Sequence, residues 1–143
     1  MTQQPSSQLL SQELTLQCLD ARGRNIDLPA FFEYDPSDPW AVGITFRGPD
    51  EQIRWVVARD LLVQGLTDPA GEGDIQVWPS IDERGSAAVV MELHSPDGRL
   101  VTQLETHALY RFLTRTLALV PAGTESIDLE LLVESLVGHS EPQ

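Results

Sequence analysis

The side chains that most often do chemistry are sparse and scattered along this chain. Its three histidines are His94 at a strand end, His107 at a helix start and His139 near the C-terminus. They fit neither an H-E-x-x-H helix nor a set joined by paired cysteines, so no metal site is expected. No G-x-S-x-G elbow presents a nucleophilic serine. Gly71-Glu72-Gly73 is a lone G-x-G whose neighbours Asp68 and Asp74, with Glu72 itself, would repel a phosphate. A chain without lysine also has no Walker lysine, so this stretch reads as turn chemistry and no cofactor is expected. Asp35 and Asp38 sit in a proline turn, where hydrogen bonds to nearby backbone amides account for them. Asp60 follows Arg59 at a helix start, where the helix dipole favours an acid. General acid–base catalysis needs a concave, partly dry site that shifts pKa values, and these spacings point to none. The expectation is a protein that is not an enzyme.

Charge narrows the partners. There are 22 acids against 9 bases, all of them arginine, and the formal net charge is -13. Nucleic-acid binders neutralise phosphates with clustered Lys and Arg. Here Arg22 and Arg24 share a turn, Arg54 and Arg59 flank a strand–helix joint, and Arg111 and Arg115 lie on one helix face. An anionic membrane surface would repel the same body. Neither nucleic acid nor lipid is expected as a direct partner. The single cysteine, Cys18, reads as a small buried hydrophobe in a reducing compartment. The start has no basic n-region or long apolar run. The longest strongly apolar stretch, Ala87 to Met91, is far short of the roughly 20 residues that span a bilayer. The expected location is cytoplasmic, with membrane contact only through partners.

The elements that must position these residues form one domain at 143 residues. Residues 1–10 read as a flexible N-terminus, 11–138 as the domain and 139–143 as a tail. Leu14, Leu16 and Cys18 alternate as a first strand. Ile26, Leu28, Ala30, Phe32 and Tyr34 make a second, with Pro29 marking an edge position or bulge. Trp40, Val42, Ile44 and Phe46 line a third, and Ile53, Trp55 and Val57 a fourth. The run then switches to a short helix that Gly65 stops. A loop with one proline and two glycines leads to a strand from Asp74 to Ile81. Ala87 to His94 and Arg99 to Thr106 pair as a hairpin whose turn, Ser95-Pro96-Asp97-Gly98, has glycine where a left-handed residue would close a bulge. Leu109, Phe112, Leu113, Leu117 and Val120 then share a helical stripe. Ser126 caps a last helix that ends at Gly138. The fold class is α+β: seven mostly antiparallel strands, a short middle helix and C-terminal helices, with no internal repeat.

Aromatic and apolar placement suggests where the chain touches others. Trp40 and Trp55 fall on apolar strand faces and read as core. Trp78 sits on the side of Gln76, where it either packs under the terminal helices or anchors a partner. The hairpin is apolar on both faces: Val89, Met91 and Leu93 on one, Ala88 and Val90 on the other. Either helices cover the second face or it is a subunit interface. Trp78, Ala88, Val90 and Val101 are therefore the candidate partner or subunit contacts.

Five segments in order, DPWAVGITF (Asp38 to Phe46), WVVARDLLVQGL (Trp55 to Leu66), PAGEGDIQVWP (Pro69 to Pro79), the SPDG turn and RFLTRTLALVPAGTE (Arg111 to Glu125), resemble the SsgA-like family of actinobacterial sporulation and cell-division proteins, closest to its SsgB-type branch. The likeness spans roughly residues 10 to 137. Trp40, Val57 and the apolar Thr116 to Val120 depart from the usual family residues. The resemblance implies a Whirly-like fold, homotrimers and no catalytic residues. It implies a sporulation-specific protein that helps recruit the tubulin-like GTPase FtsZ to the septum, with SsgA-type partners. Fold-level likeness alone offers an alternative, a single-stranded-nucleic-acid-binding module.

Overall fold

The computed structural model describes residues 9–19, 22–48 and 51–125. Its strands are β1 (Leu10–Leu19), β2 (Asn25–Tyr34), β3 (Ala41–Arg47) and β4 (Gln52–Ala58), then β5 (Ala70–Glu72), β6 (Ile75–Ile81), β7 (Ala87–Ser95) and β8 (Gly98–Glu105). Helix α1 (Arg59–Gly65) follows β4, and α2 (Thr106–Leu119) follows β8. The strands form one antiparallel sheet in the order β4-β3-β2-β1-β8-β7-β6-β5. Two β-β-β-β-α units thus stand side by side, although the sequences of the two halves show no repeat. They meet at a narrow seam, where among the described residues β1 and β8 pair only at Gln17↔Gln103 and Cys18↔Thr102.

Period-2 patterning decides which way each side chain points. Phe32 lies opposite Ile44, and Ile44 opposite Trp55, so one face of β2, β3 and β4 is apolar across the ladder. Val77, Met91 and Thr102 line up the same way across β6, β7 and β8. Both helices pack on this face. Leu109, Phe112 and Leu113 of α2 are buried, and the Phe112 ring meets Phe32 edge-on with centroids 5.5 Å apart. Leu61 and Leu62 of α1 join the same core.

Several expectations change. There are eight strands because the Pro69 to Asp74 loop contains β5, which pairs Ala70↔Val77 and turns at Gly73 with φ 61°. Gly71 lies in that ladder, so the lone G-x-G is hairpin chemistry as expected. Trp40 is not core: it precedes β3 and is 41% exposed, while its carbonyl accepts the Arg59 amide at 2.7 Å. Trp55 is half-buried against the core, and Ile53 is exposed because β4 is a sheet edge. Gly65 does not stop α1 by a left-handed turn. It is the last residue of the helix, where a Cβ would come within 2.3 Å of Val77 Cγ1. On α2 the buried stripe takes Thr116, and Leu117 is only half-buried. The Thr116 hydroxyl donates to the Leu113 carbonyl at 2.7 Å.

The reading of Pro29 holds only in part: β2 is an interior strand whose ladder with β1 runs through Thr15↔Pro29 without a bulge, and only the β3 side is unpaired beyond Ala30↔Phe46 among the described residues. The β7–β8 hairpin forms, but its ladder runs through Ser95↔Gly98, and Gly98 (φ 151°) belongs to the ladder rather than to a bulge. The helix expected from Ser126 lies outside the described residues.

Candidate functional site: the open face of the sheet

The alternation that sends Val89 and Met91 into the core sends Ala88 and Val90 to the opposite face. In register, Trp78 stands opposite Val90, Val90 opposite Gln103, Ala88 opposite Ser80 and Glu105, and Val101 opposite Glu92. All four expected contact residues therefore share one face, turned away from α1 and α2. Val90 is 9% exposed, Ala88 is buried, and Trp78 and Val101 are half-buried. Beside them Ile81 ends β6 with 68% of its surface in solvent.

Two adjoining hollows of about 300 Å³ each indent this face. One is floored by Val90 and Val101, with Ile81 exposed at its lip. The other carries Asp27 and Glu105 and reaches Thr15 of β1. Asp82 and Glu83, from the loop after β6, line both. That loop is held rigidly. Asp82 Oδ1 accepts the amides of Arg84 (2.8 Å) and Ser86 (2.9 Å), and Asn25 Nδ2 donates to Glu83 Oε1 at 2.6 Å. The last bond closes the hollow across the seam. Leu16↔Leu104 and then Thr15↔Glu105 would continue the β1–β8 ladder, but neither pair forms, and Thr15 and Glu105 line the hollow.

The other half of the same face has a different character. Arg47 lies over the Phe31 ring at 4.3 Å, and Arg54 reaches Glu33 at 2.9 Å. The Arg54 guanidinium crosses directly above Gly43, where a Cβ would meet it at 2.4 Å. Glycine there is what lets the long side chain lie flat. These exposed pairs contribute little to stability.

A second polar centre lies in the core, and the sequence reading did not find it. Arg59, at the start of α1, is fully buried. Its Nη1 donates to the carbonyls of Thr116 (3.2 Å) and Val120 (2.8 Å), and its Nη2 to Glu125 Oε2 (2.7 Å). The Tyr34 ring lies 5.1 Å from the guanidinium, and the Tyr34 hydroxyl donates to the Pro39 carbonyl. Burial raises the Tyr34 pKa, against the opposing pull of Arg59. The hydrogen bond from Arg59 holds the Glu125 carboxyl below the usual glutamate range, helped by backbone amides including that of Gly123. A charged residue between Ala58 and the apolar pair Leu61-Leu62 was the available signal. Its partners are remote in sequence, so it pointed to nothing specific.

Asp35 accepts the Ser37 amide and hydroxyl at 2.9 and 2.8 Å, as expected of a turn residue. His94 and Arg99 both reach Glu92 at 3.1 Å on an exposed rim. Among the described residues no three histidine, cysteine or carboxylate side chains gather to hold a metal, and no helix is long and apolar enough to cross a membrane.

Comparison with known proteins agrees with the architecture. Residues 28–125 match the family model described as Streptomyces sporulation and cell division protein, SsgA. The chain is 42% identical over 123 residues to the sporulation-specific cell division protein SsgB of Streptomyces coelicolor, covering 85% of this chain and 89% of that one. It is 41% identical over 128 residues to the protein of the same name from Kineococcus radiotolerans, covering 87% and 78%. The crystal structure of an SsgA-like sporulation-specific cell division protein from Thermobifida fusca superposes with a TM-score of 0.82 at 34% identity. That superposition covers 94% of this chain and 99% of the other. With the family model spanning most of the described sheet and helices, the chain belongs to the SsgA family of sporulation and cell division proteins.

Proposed function

We propose that this protein is a non-enzymatic scaffold of sporulation-specific cell division. It helps recruit and organise FtsZ at septum sites through protein–protein contacts, together with SsgA-type partners. In this reading it works in the cytoplasm at the septum and reaches the membrane only through those partners. The names of its relatives supply the process. The supporting observation is the open sheet face, where Trp78, Val90 and Val101 form an apolar patch that neither described helix covers. We take residues 11–138 as the working domain, with a Whirly-like arrangement of its two β-β-β-β-α units and assembly into homotrimers. Trimerisation multiplies weak contacts on one filament. Carboxylates around the same face count against a nucleic-acid strand there.

Mixing the purified protein with FtsZ and GTP tests this directly. The expected result is co-sedimentation with FtsZ polymers and a change in polymer length. Unchanged polymers with the protein left in the supernatant at low salt would remove the proposed activity. Light scattering during size exclusion tests assembly, and a clean 15.8 kDa species would refute the trimer.

A further inference from the structure

We infer that the seam groove on this sheet face is a docking site for an extended protein segment that carries an apolar residue and, four residues further on, an arginine or lysine. The inference rests on the reading of the protein as a protein-binding scaffold and identifies its partner by chemistry. The floor at one end is apolar: Val90 and Val101, with Ile81 exposed at the lip. The other end is acidic, with Asp27 and Glu105 facing the same hollow as Glu83 and a single basic neighbour, Arg84.

Spacing favours a strand-like guest. Val101 and Glu105 lie on the same face of β8, four residues apart, which is roughly 13 Å along an extended chain. A segment laid along β8 therefore places one side chain over the apolar floor. A side chain four residues further on then reaches the carboxylates. The opened ladder at Thr15 and Glu105 gives such a backbone room beside the seam. A bare polyamine would leave the apolar floor unused, and an acidic segment would be repelled. The net charge of -13 speeds encounter with a basic one.

The test uses the full isotope-labelled chain and a short capped peptide that carries valine and arginine four residues apart, followed by amide NMR shifts. The same peptide with glutamate for arginine is the control. Expected shifts saturate and are confined to the surroundings of Gln17, Ala88 and Gln103, while the control peptide gives none. Glu105→Gln should weaken binding about 5-fold, and Val101→Lys should abolish it with the remaining amide spectrum unchanged. Absence of shifts at low salt would overturn the inference. So would shifts spread over the acidic surface without saturation, or binding that Val101→Lys leaves intact. If Val101→Lys instead converts an oligomer to monomer and peptide binding persists, the occupant is a second copy and the inference fails. FtsZ co-sedimentation is read separately. Its loss with peptide binding retained removes the FtsZ role alone, and the reverse result removes the groove alone.

Discussion

Arg59 is the costliest side chain to place. Its charge is fully buried, and its Nε has no hydrogen-bond partner among the described residues. Three acceptors on Nη1 and Nη2 offset that desolvation, and together they tie the start of α1 to the end of α2. Replacing it by an apolar side chain leaves the Val120 carbonyl, just past α2, and a nearly buried carboxylate without this donor. Arg59→Met should therefore cost about 3–5 kcal/mol in urea unfolding. A loss within experimental error would show that the clamp is dispensable. Acid should loosen the same clamp. The folded-state pKa of Glu125 lies below its unfolded value, so its contribution is present above the ordinary glutamate pKa. It is lost as pH falls through the depressed value. Urea midpoints measured from about pH 6 to about pH 3 should fall along this limb. Glu125→Gln should flatten it, and an unchanged slope would exclude Glu125 as its source.

At the scale of elements, the packing of α1 on β6 sets two effects of one substitution against each other. Alanine at position 65 would raise helix propensity by about 1 kcal/mol. It would also put a methyl 2.3 Å from Val77 Cγ1, closer than side chains tolerate. Overpacking of this kind costs about 1–3 kcal/mol, and Val77 is fully buried with its backbone in a ladder, so little can yield. Gly65→Ala should be destabilising by about 1–2 kcal/mol. In combination with Val77→Ala the two losses should be less than additive. A rise in the urea midpoint of Gly65→Ala would mean that α1 can lift off β6 without cost.

The whole molecule is an open sheet with two unequal edges. β5 contributes three residues at one end and is backed by α1. β4 contributes seven at the other, with Val56 58% exposed and Arg54 its only charge. Proteins usually blunt such edges with charges, proline or bulges, so this one is prone to pair with another strand. Val56→Lys should leave stability within about 0.5 kcal/mol. It should also lower any rise in light-scattering mass with concentration. A clear loss of stability would instead show that position 56 is packed in the folded protein.

Much of this fold was legible residue by residue. Alternating apolar positions marked seven of the eight strands, the Ser95–Gly98 turn announced its hairpin, and Leu109, Phe112 and Leu113 marked the buried side of α2. Counting acids and arginines argued against phosphate ligands, and the scattered histidines offered no metal set. β5 escaped because two of its flanking or internal residues, Gly71 and Gly73, carry no side-chain pattern to read. Gly65 does end α1 as expected, but the reason it is glycine, the nearness of Val77, lies twelve positions along the chain. The burial of Arg59 was not legible because its acceptors sit at 116, 120 and 125. For Ala88 and Val90 the alternation showed that the hairpin has two apolar faces, and only the packing of α1 and α2 decided which of the two those helices cover. The reason is common to all four: side-chain periodicity is set by local backbone geometry, whereas burial and pairing depend on where distant strands come to rest.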